Sequence, residues 1–271
     1  MVEDRGVRTR DGVRLHVSII GSGTEALIVP GTGNEADFEA HFANRRVAFF
    51  DIRNRGRSDA MLAEQAVGQP VEIDDIDDVR EAVDFERFSL FAWSYPALVA
   101  ALYTARHPER VDRLILACPP PASAAVARKL PARPRRYGNA STMPPAKTAD
   151  EARAQRRASA RLQMANPAGV ERLRSDPGAM PNEWPDHVAA ALARVWATFP
   201  EDFDFRPELR TITVPTLIIP GAHDDIPLEC SKHLNELIPG ARLVVIPGVG
   251  HFPHVEAPDE FARSVAAFLS S

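Results

Sequence analysis

The sequence predicts an α/β fold: a mostly parallel β-sheet with helices on both faces and an inserted helical cap. Short, nearly continuous apolar runs recur along the chain, as expected for strands buried on both faces. Amphipathic segments separate most of these runs. The alternation stops between residues 119 and 207, which indicates an insertion into the α/β unit.

Seven segments are predicted as strands and five as helices. The strands are RLHVSII (14–20), ALIVP (26–30), RVAFFD (46–51), RFSLFAW (87–93), RLILAC (113–118), TLIIP (216–220) and RLVVIP (242–247). The helices are 34–44, 76–83, 95–107, 228–238 and 258–269. In the last helix Phe261, Val265 and Phe268 recur at three- or four-residue spacing, which is typical of a helix that packs one face on a sheet.

Residues 119–207 are first proline-rich and then helical in pattern. A structureless connection of this length is unexpected inside a compact domain, so we predict a helical cap over 119–207 and a core of 1–118 and 208–271. The cap has ten Lys or Arg and two acids in 120–161, but eight acids and four Arg in 171–208. Two solvated helical faces of opposite sign explain this most simply; a polarised lid that sorts charged substrates is the alternative.

The overall composition argues against several classes of partner. The 271 residues are 45% hydrophobic and carry a formal net charge of −5, which gives no footprint for nucleic acid or an anionic membrane. No apolar run approaches the roughly 18 residues of a membrane span, so we expect a cytoplasmic protein. The two cysteines, Cys118 and Cys230, are too few for a disulfide framework or a metal cluster and are predicted to be free thiols.

One serine lies between a predicted strand and a predicted helix, in FAWSYPALVA (91–100). This is the setting of a nucleophile elbow, where a sharp turn lifts the hydroxyl of Ser94 off the sheet and a helix N-terminus offers free N–H groups. Ala92 and Pro96 replace the glycines usual two residues before and after such a serine. Because Pro96 disfavours helical angles at Tyr95, we expect the helix to begin at Pro96. This local pattern alone fits a structural serine as well as a catalytic one.

Two further polar residues follow predicted strands. Asp224 comes just after the strand at 216–220, and His251 just after the strand at 242–247. Because parallel strands end at the same edge of a sheet, we expect both to lie near Ser94. Asp225 is a possible substitute for Asp224.

Two other histidines are close in sequence to these residues. His254 lies near the final helix and is interpreted as a surface or packing residue. His223 is adjacent to the acid and is interpreted as an exposed loop residue, with a supporting role beside the acid as the alternative.

The order Ser94, Asp224, His251 resembles that of the α/β-hydrolase superfamily, in the capped serine-hydrolase branch with proline iminopeptidases and esterases. FFDIRNRGRSD (49–59) resembles the family's loop of Asp, Arg, Gly and Ser-Asp, which would brace the site, and LIVPGTGN (27–34) its oxyanion loop. The resemblance covers nearly all of the chain outside the cap. It implies Ser94 as nucleophile, His251 as base, Asp224 rather than Asp225 as acid, and the backbone N–H groups of Thr32 and Tyr95 as oxyanion donors.

Pro30 departs from the family pattern, since the family often has histidine at this position. The resemblance implies a cofactor-independent, metal-free serine hydrolase that cleaves an ester, thioester or amide of a small to medium acyl substrate. A serine at 94 excludes the relatives that use an aspartate nucleophile, and it leaves hydrolysis of a lactone or of a carbon–carbon bond open as well. A non-hydrolytic ligand receptor or lyase on the same fold is the alternative.

The cap segment MPNEWPDH (180–187) places two acids, Glu183 and Asp186, close together. Proline-iminopeptidase-like relatives use cap acids to hold a substrate's free amine, which would suggest an aminoacyl substrate. The simpler interpretation is an ordinary acidic helix start, with Asp186 near the helix cap.

Overall fold

The computed structural model describes residues 2–42, 44–62, 64–130, 144–176, 178 and 180–271. Within these ranges eight strands form a single sheet, with ten α-helices around it. The strands are β1 Val2–Arg8, β2 Arg14–Ile20, β3 Ala26–Gly31, β4 Arg46–Asp51, β5 Phe88–Trp93, β6 Val111–Ala117, β7 Thr216–Ile219 and β8 Arg242–Leu243. The helices are α1 Glu35–Phe38, α2 Gln69–Ala82, α3 Tyr95–Arg106, α4 Ala124–Lys129, α5 Ala149–Gln163, α6 Pro185–Trp196, α7 Arg206–Leu209, α8 Leu228–Leu237, α9 Pro253–Glu256 and α10 Pro258–Leu269.

The strand order in the sheet is β1-β2-β4-β3-β5-β6-β7-β8. β2 pairs antiparallel with β1 and β4, and all the other pairs are parallel. The parallel strands β3 to β8 therefore end at one edge, with their following loops side by side. This confirms the predicted mostly parallel sheet.

Alternate residues of the central strands pack on opposite faces of the sheet. In β3, Ile28 joins the core beneath α2, α3 and α8, whereas Leu27 and Val29 join the core beneath α1 and α10. Phe261, predicted on the inner face of the last helix, is fully buried in the second core. Each of these central strands is buried on both faces, which explains its nearly continuous apolar run.

Four details of the sequence prediction are wrong. The polar stretch 2–8 forms the edge strand β1, whose residues are mostly exposed and so lack an apolar signal. β8 has only two residues, although a bridge from Gly221 to Ile246 continues its pairing. α2 begins seven residues before the predicted 76, and α3 begins at Tyr95 with Pro96 second.

The helices α4 to α7 lie between β6 and β7, within the predicted cap. Ala124 N donates to Phe203 O at 2.8 Å and Phe205 N to Ala122 O at 2.9 Å. The beginning and the end of this segment are therefore hydrogen-bonded to each other. Residues 131–143 of the predicted cap lie outside the described residues, and its exact boundaries stay a prediction. Each helix among the described residues is too short or too polar to cross a membrane.

Candidate active site

Ser94 occupies a sharp turn between β5 and α3. Its backbone angles are φ 66° and ψ −138°, a conformation that residues other than glycine rarely adopt. Ser94 N donates to Ala117 O of the neighbouring β6 at 2.9 Å, which anchors the turn to the sheet. Ala92 is fully buried two residues earlier, and Pro96 takes the second helical position, where no intrahelical donor is needed. The elbow therefore forms without either of the usual glycines.

The structure brings the three predicted residues into one hydrogen-bonded chain. His251 Nε2 lies 3.0 Å from Ser94 Oγ, and His251 Nδ1 lies 2.8 Å from Asp224 Oδ1. Asp224 and His251 are 2% and 6% exposed, so solvent does not compete for their contact. Since a carboxylate only accepts hydrogen bonds, Nδ1 carries the imidazole proton and Nε2 is left to accept from the Ser94 hydroxyl.

Trp93, which the sequence did not single out, holds His251 in place. Its indole Nε1 donates to His251 O at 2.7 Å, and the two ring centres lie 5.1 Å apart. His251 N donates to Gln163 O at the end of α5. The sequence signal that could have identified Trp93 was its position one residue before the elbow serine.

Cys118, at the end of β6, contacts the buried acid. Burial, together with the negative charge of the adjacent Asp224, raises the pKa of the thiol well above its usual value. The sulfur and ligand atoms of Asp224 and His251 lie within 4.8 Å of one another, close enough in principle to hold a metal ion. A thiol that keeps its proton is a poor metal ligand, and His251 Nδ1 is already hydrogen-bonded to Asp224.

The neighbouring titratable residues take other places. Asp225 is half-buried and is not the acid that contacts the histidine. His223 is exposed, as predicted. His254 is a packing residue: it is buried and stacks on Phe38 with 4.0 Å between ring centres. Burial lowers the pKa of His254 well below its usual value.

The segment predicted as an oxyanion loop follows β3 and is tied to the loop after β4. Gly33, whose φ of 64° favours glycine, donates its N–H to the buried carboxylate of Asp51, which also accepts from Arg57 N at 2.9 Å. Thr32 N contacts Asn34 Oδ1 at 3.4 Å, a long hydrogen bond that a substrate oxygen could displace. Asp51 therefore braces this loop, as the sequence predicted for the 49–59 segment.

A cavity of about 110 Å³ opens above Ser94, with room for a small organic group. It is bordered by residues of the sheet edge and of the helical segment between β6 and β7. The lining residues are Val29, Pro30, Gly31, Thr32, Asn34, Phe38, Ile52, Arg55, Phe91, Trp93, Ser94, Tyr95, Pro96, Arg156, Ser159, Glu183, Val188, Leu192 and His251. Most are apolar, which suits an organic acyl chain.

Glu183 lines this cavity, but its carboxylate is already paired with an arginine. Arg55 donates to it from Nε at 2.7 Å and from Nη2 at 2.8 Å, and Gly56 N donates at 2.9 Å. Asp186 is exposed in the first turn of α6 and is not among the lining residues. The structure therefore favours the simpler interpretation of these acids over a site for a substrate amine.

A buried acid lies behind the elbow. The Tyr95 hydroxyl donates to Glu72 Oε2 of α2 at 2.7 Å. Burial raises the pKa of Glu72 to about 7. Burial and the adjacent Glu72 also raise the pKa of the Tyr95 hydroxyl. No sequence pattern pointed to Glu72, because a glutamate in an acidic helix is expected to face solvent.

The family model described as "alpha/beta hydrolase fold" matches residues 28–258. The chain belongs to the α/β-hydrolase fold family. The matched range contains Thr32, Ser94, Asp224 and His251, and the family resemblance deduced from the motifs is confirmed. Membership places the protein in a superfamily of hydrolases. It does not specify which bond is cleaved or which substrate is bound.

Named relatives of this family member differ in activity. A putative carbamate hydrolase RutD of Caulobacter sp. (strain K31) is 41% identical over 70 residues, which are 26% of either chain. A putative 2-succinyl-6-hydroxy-2,4-cyclohexadiene-1-carboxylate synthase of Bacillus subtilis (strain 168) is 22% identical over 98% of both chains. Among solved structures, an esterase (EaEST) from Exiguobacterium antarcticum has a TM-score of 0.77 at 22% identity, covering 99% of this chain and 100% of that one.

Proposed function

We propose that this α/β-hydrolase family member is a serine hydrolase that cleaves an ester, thioester or amide of a small to medium acyl substrate. The observation that supports this most directly is the continuous hydrogen-bonded chain Ser94–His251–Asp224 at the floor of the cavity. Both links, 3.0 and 2.8 Å, have hydrogen-bond lengths, and the 3.0 Å link from Ser94 Oγ to His251 Nε2 is short enough for proton transfer.

In the proposed mechanism the Ser94 oxygen attacks the substrate carbonyl while His251 Nε2 removes the hydroxyl proton. Asp224 holds the imidazole in the required tautomer and stabilises the imidazolium that forms. The imidazolium then returns the proton to the leaving group, and an acyl-enzyme on Ser94 results. Water, deprotonated by the same histidine, releases the acid and restores the serine.

The backbone N–H groups of Thr32 and Tyr95 are the proposed oxyanion donors. Both residues line the cavity beside Ser94. Tyr95 is the first residue of α3, so its N–H has no intrahelical acceptor and the field of the helix N-terminus favours negative charge. One donor of this kind contributes roughly 3 kcal/mol of transition-state stabilisation in enzymes where it has been removed.

A binding protein without turnover is the competing function, and the complete hydrogen-bonded chain argues against it. A receptor needs neither a strained serine nor a buried acid aligned behind a histidine, and both carry a free-energy cost. A catalytic role for the three residues explains why the fold retains an arrangement that lowers its stability.

The test is covalent labelling of the serine. A fluorophosphonate probe should modify Ser94 in the folded protein, as located by mass spectrometry, and 4-nitrophenyl butyrate should give a burst of nitrophenolate. Ser94→Ala should lose both signals. Ser264→Ala, a change in α10 away from the cavity, should keep both. Absence of labelling and of a burst in the folded wild-type protein would contradict the hydrolase proposal.

A further inference from the structure

A second arginine lines the cavity from the helical segment. Arg156 is half-buried in α5, and Ser159, one turn later, is buried and lines the same cavity. This face of α5 is therefore directed at the space that Ser94 and His251 border.

Within the part of the chain that the structure describes, the positive charge of Arg156 has no carboxylate partner. Among the described residues no acidic side chain forms a salt bridge with it, whereas the next residue, Arg157, pairs with Glu171 at 3.3 Å. The other cavity arginine, Arg55, is matched by Glu183 through two hydrogen bonds. Three formally charged residues line the described cavity: Arg55, Arg156 and Glu183. Since Arg55 and Glu183 neutralise each other, the charge of Arg156 is the one that faces the substrate unbalanced.

An aromatic ring positions this charge without neutralising it. The Arg156 guanidinium carbon lies 5.6 Å from the centre of the Phe252 ring, within the range of a cation–π contact. A contact between the charge and the ring needs no acceptor oxygen, so the N–H donors of the guanidinium stay available to a carboxylate. Phe252 follows His251 in sequence, and their ring centres are 5.8 Å apart, so one aromatic ring contacts both the guanidinium and the proposed base.

The helix that carries Arg156 is fixed to the loop that carries His251. His251 N donates to Gln163 O, the last residue of α5, at 2.9 Å. The Glu256 carboxylate accepts from Gly250 N at 2.9 Å and from Ala165 N at 2.7 Å, which joins the two segments again. The backbone segments that carry the guanidinium and the imidazole are therefore joined to each other, which favours a specificity site.

We propose, on the basis of the hydrolase function above, that Arg156 binds a carboxylate on the acyl chain of the substrate. The preferred substrates are then half-esters, half-thioesters or half-amides of dicarboxylic acids, with the scissile carbonyl at Ser94 and the free carboxylate at Arg156. Ser159 offers a hydroxyl donor to the same carboxylate. The protein would select anionic acyl chains, in contrast to the aminoacyl substrates that cap acids would select.

Matched substrate pairs measure this preference. The mono-4-nitrophenyl ester of adipate is compared with 4-nitrophenyl hexanoate, and the ester of suberate with the octanoate, because each pair differs only in the terminal carboxylate. The wild-type ratio of kcat/KM, diacid over monoacid, should exceed one for at least one pair. Arg156→Met should lower this ratio about 10- to 100-fold, the loss expected when a charge-assisted hydrogen bond is removed.

Two variants separate this role from a structural one. Arg157→Met removes the adjacent, salt-bridged arginine and should leave the ratio unchanged. Arg156→Lys keeps the charge but loses the planar fork, so its ratio should fall between those of wild type and Arg156→Met. An equal effect of Arg156→Met on both members of each pair, or a wild-type preference for the monoacids, would overturn the proposal.

A binding measurement distinguishes this proposal from the hydrolase proposal. Monomethyl adipate is titrated calorimetrically into Ser94→Ala and into the double variant Ser94→Ala/Arg156→Met. Weaker binding by the double variant supports the carboxylate site even if no ester is ever hydrolysed. Equal binding, or no binding by Ser94→Ala, contradicts it even if Ser94 is labelled by the fluorophosphonate.

Discussion

Asp224 and Asp225 are adjacent in sequence but differ in their contacts. Asp224 is 2% exposed and meets His251 Nδ1 at 2.8 Å, whereas Asp225 is only half-buried. The proposed mechanism needs a negative charge at the first position alone, because only that carboxylate can set the histidine tautomer.

Replacing each aspartate by asparagine therefore gives different results. Asp224→Asn should lower kcat for 4-nitrophenyl butyrate by about 10³- to 10⁴-fold, since an amide favours the wrong imidazole tautomer. Asp225→Asn, the matched control, should stay within a few-fold of wild type. Steady-state kinetics with circular dichroism as a check on folding measure both, and a larger loss in Asp225→Asn would reassign the acid.

The sequence was sufficient to place Ser94, Asp224 and His251, because each follows a strand and parallel strands end at one edge. It was insufficient for Trp93 and Arg156. Their contacts depend on how side chains far apart in sequence pack, as in the 158-residue separation between the Trp93 indole and the carbonyl it reaches. Periodicity specifies which face of an element is buried but not which polar group is opposite it.

At the scale of elements, the turn between β5 and α3 stores backbone strain. Ser94 has φ 66° and ψ −138°, and holding a residue other than glycine there costs about 1–3 kcal/mol. The pairing of β5 with β6 and the first turn of α3 impose this conformation from both sides. The strain presents the hydroxyl to the cavity.

Glycine at this position should release the strain. We expect the free energy of unfolding of Ser94→Gly to be about 1 kcal/mol higher than that of Ser94→Ala. The reason is that the relief of backbone strain exceeds the cost of the added chain entropy of glycine in the unfolded state. Urea denaturation of the two variants measures the difference, and both lack the hydroxyl, so function does not enter.

Ser264 provides the matched control within a regular helix. It lies inside α10, where Ser264→Gly should be about 1 kcal/mol less stable than Ser264→Ala. The opposite signs at the two serines would identify the strain. A glycine that destabilises equally at both sites would mean that the elbow is relaxed.

Buried strands were easier to predict from the sequence than the exposed edge strand, and the reason is physical. Strands buried on both faces, such as β3 and β4, carry continuous apolar runs and were predicted with nearly correct bounds. The edge strand β1 is mostly exposed, so its polar sequence resembles a loop. Pro96 did not delay α3, because proline is tolerated throughout the first turn.

At the scale of the whole molecule, a buried acid links stability to pH. Glu72 lies in α2, fully enclosed beside Tyr95, and burial raises its pKa from 4.5 to about 7. A carboxyl whose pKa is raised by folding stabilises the fold only while protonated. This contribution is complete below pH 4.5 and is lost as the pH rises to about 7 and above.

Glu72→Gln should remove this pH dependence, because glutamine resembles the neutral carboxyl in shape and can still accept from Tyr95. The free energy of unfolding of the variant minus that of wild type should rise by up to about 3 kcal/mol between pH 5 and pH 8. Urea denaturation at the two pH values measures this change, and any constant cost of the buried amide cancels in the comparison.

Glu86→Gln is the control for this change in stability. Glu86 is exposed in the loop after α2, so its replacement should leave the pH 5 to pH 8 difference at the wild-type value. Parallel pH profiles for wild type and Glu72→Gln would show that Glu72 is ionised in the folded protein. The buried Tyr95–Glu72 contact behind the elbow would then hold a charge.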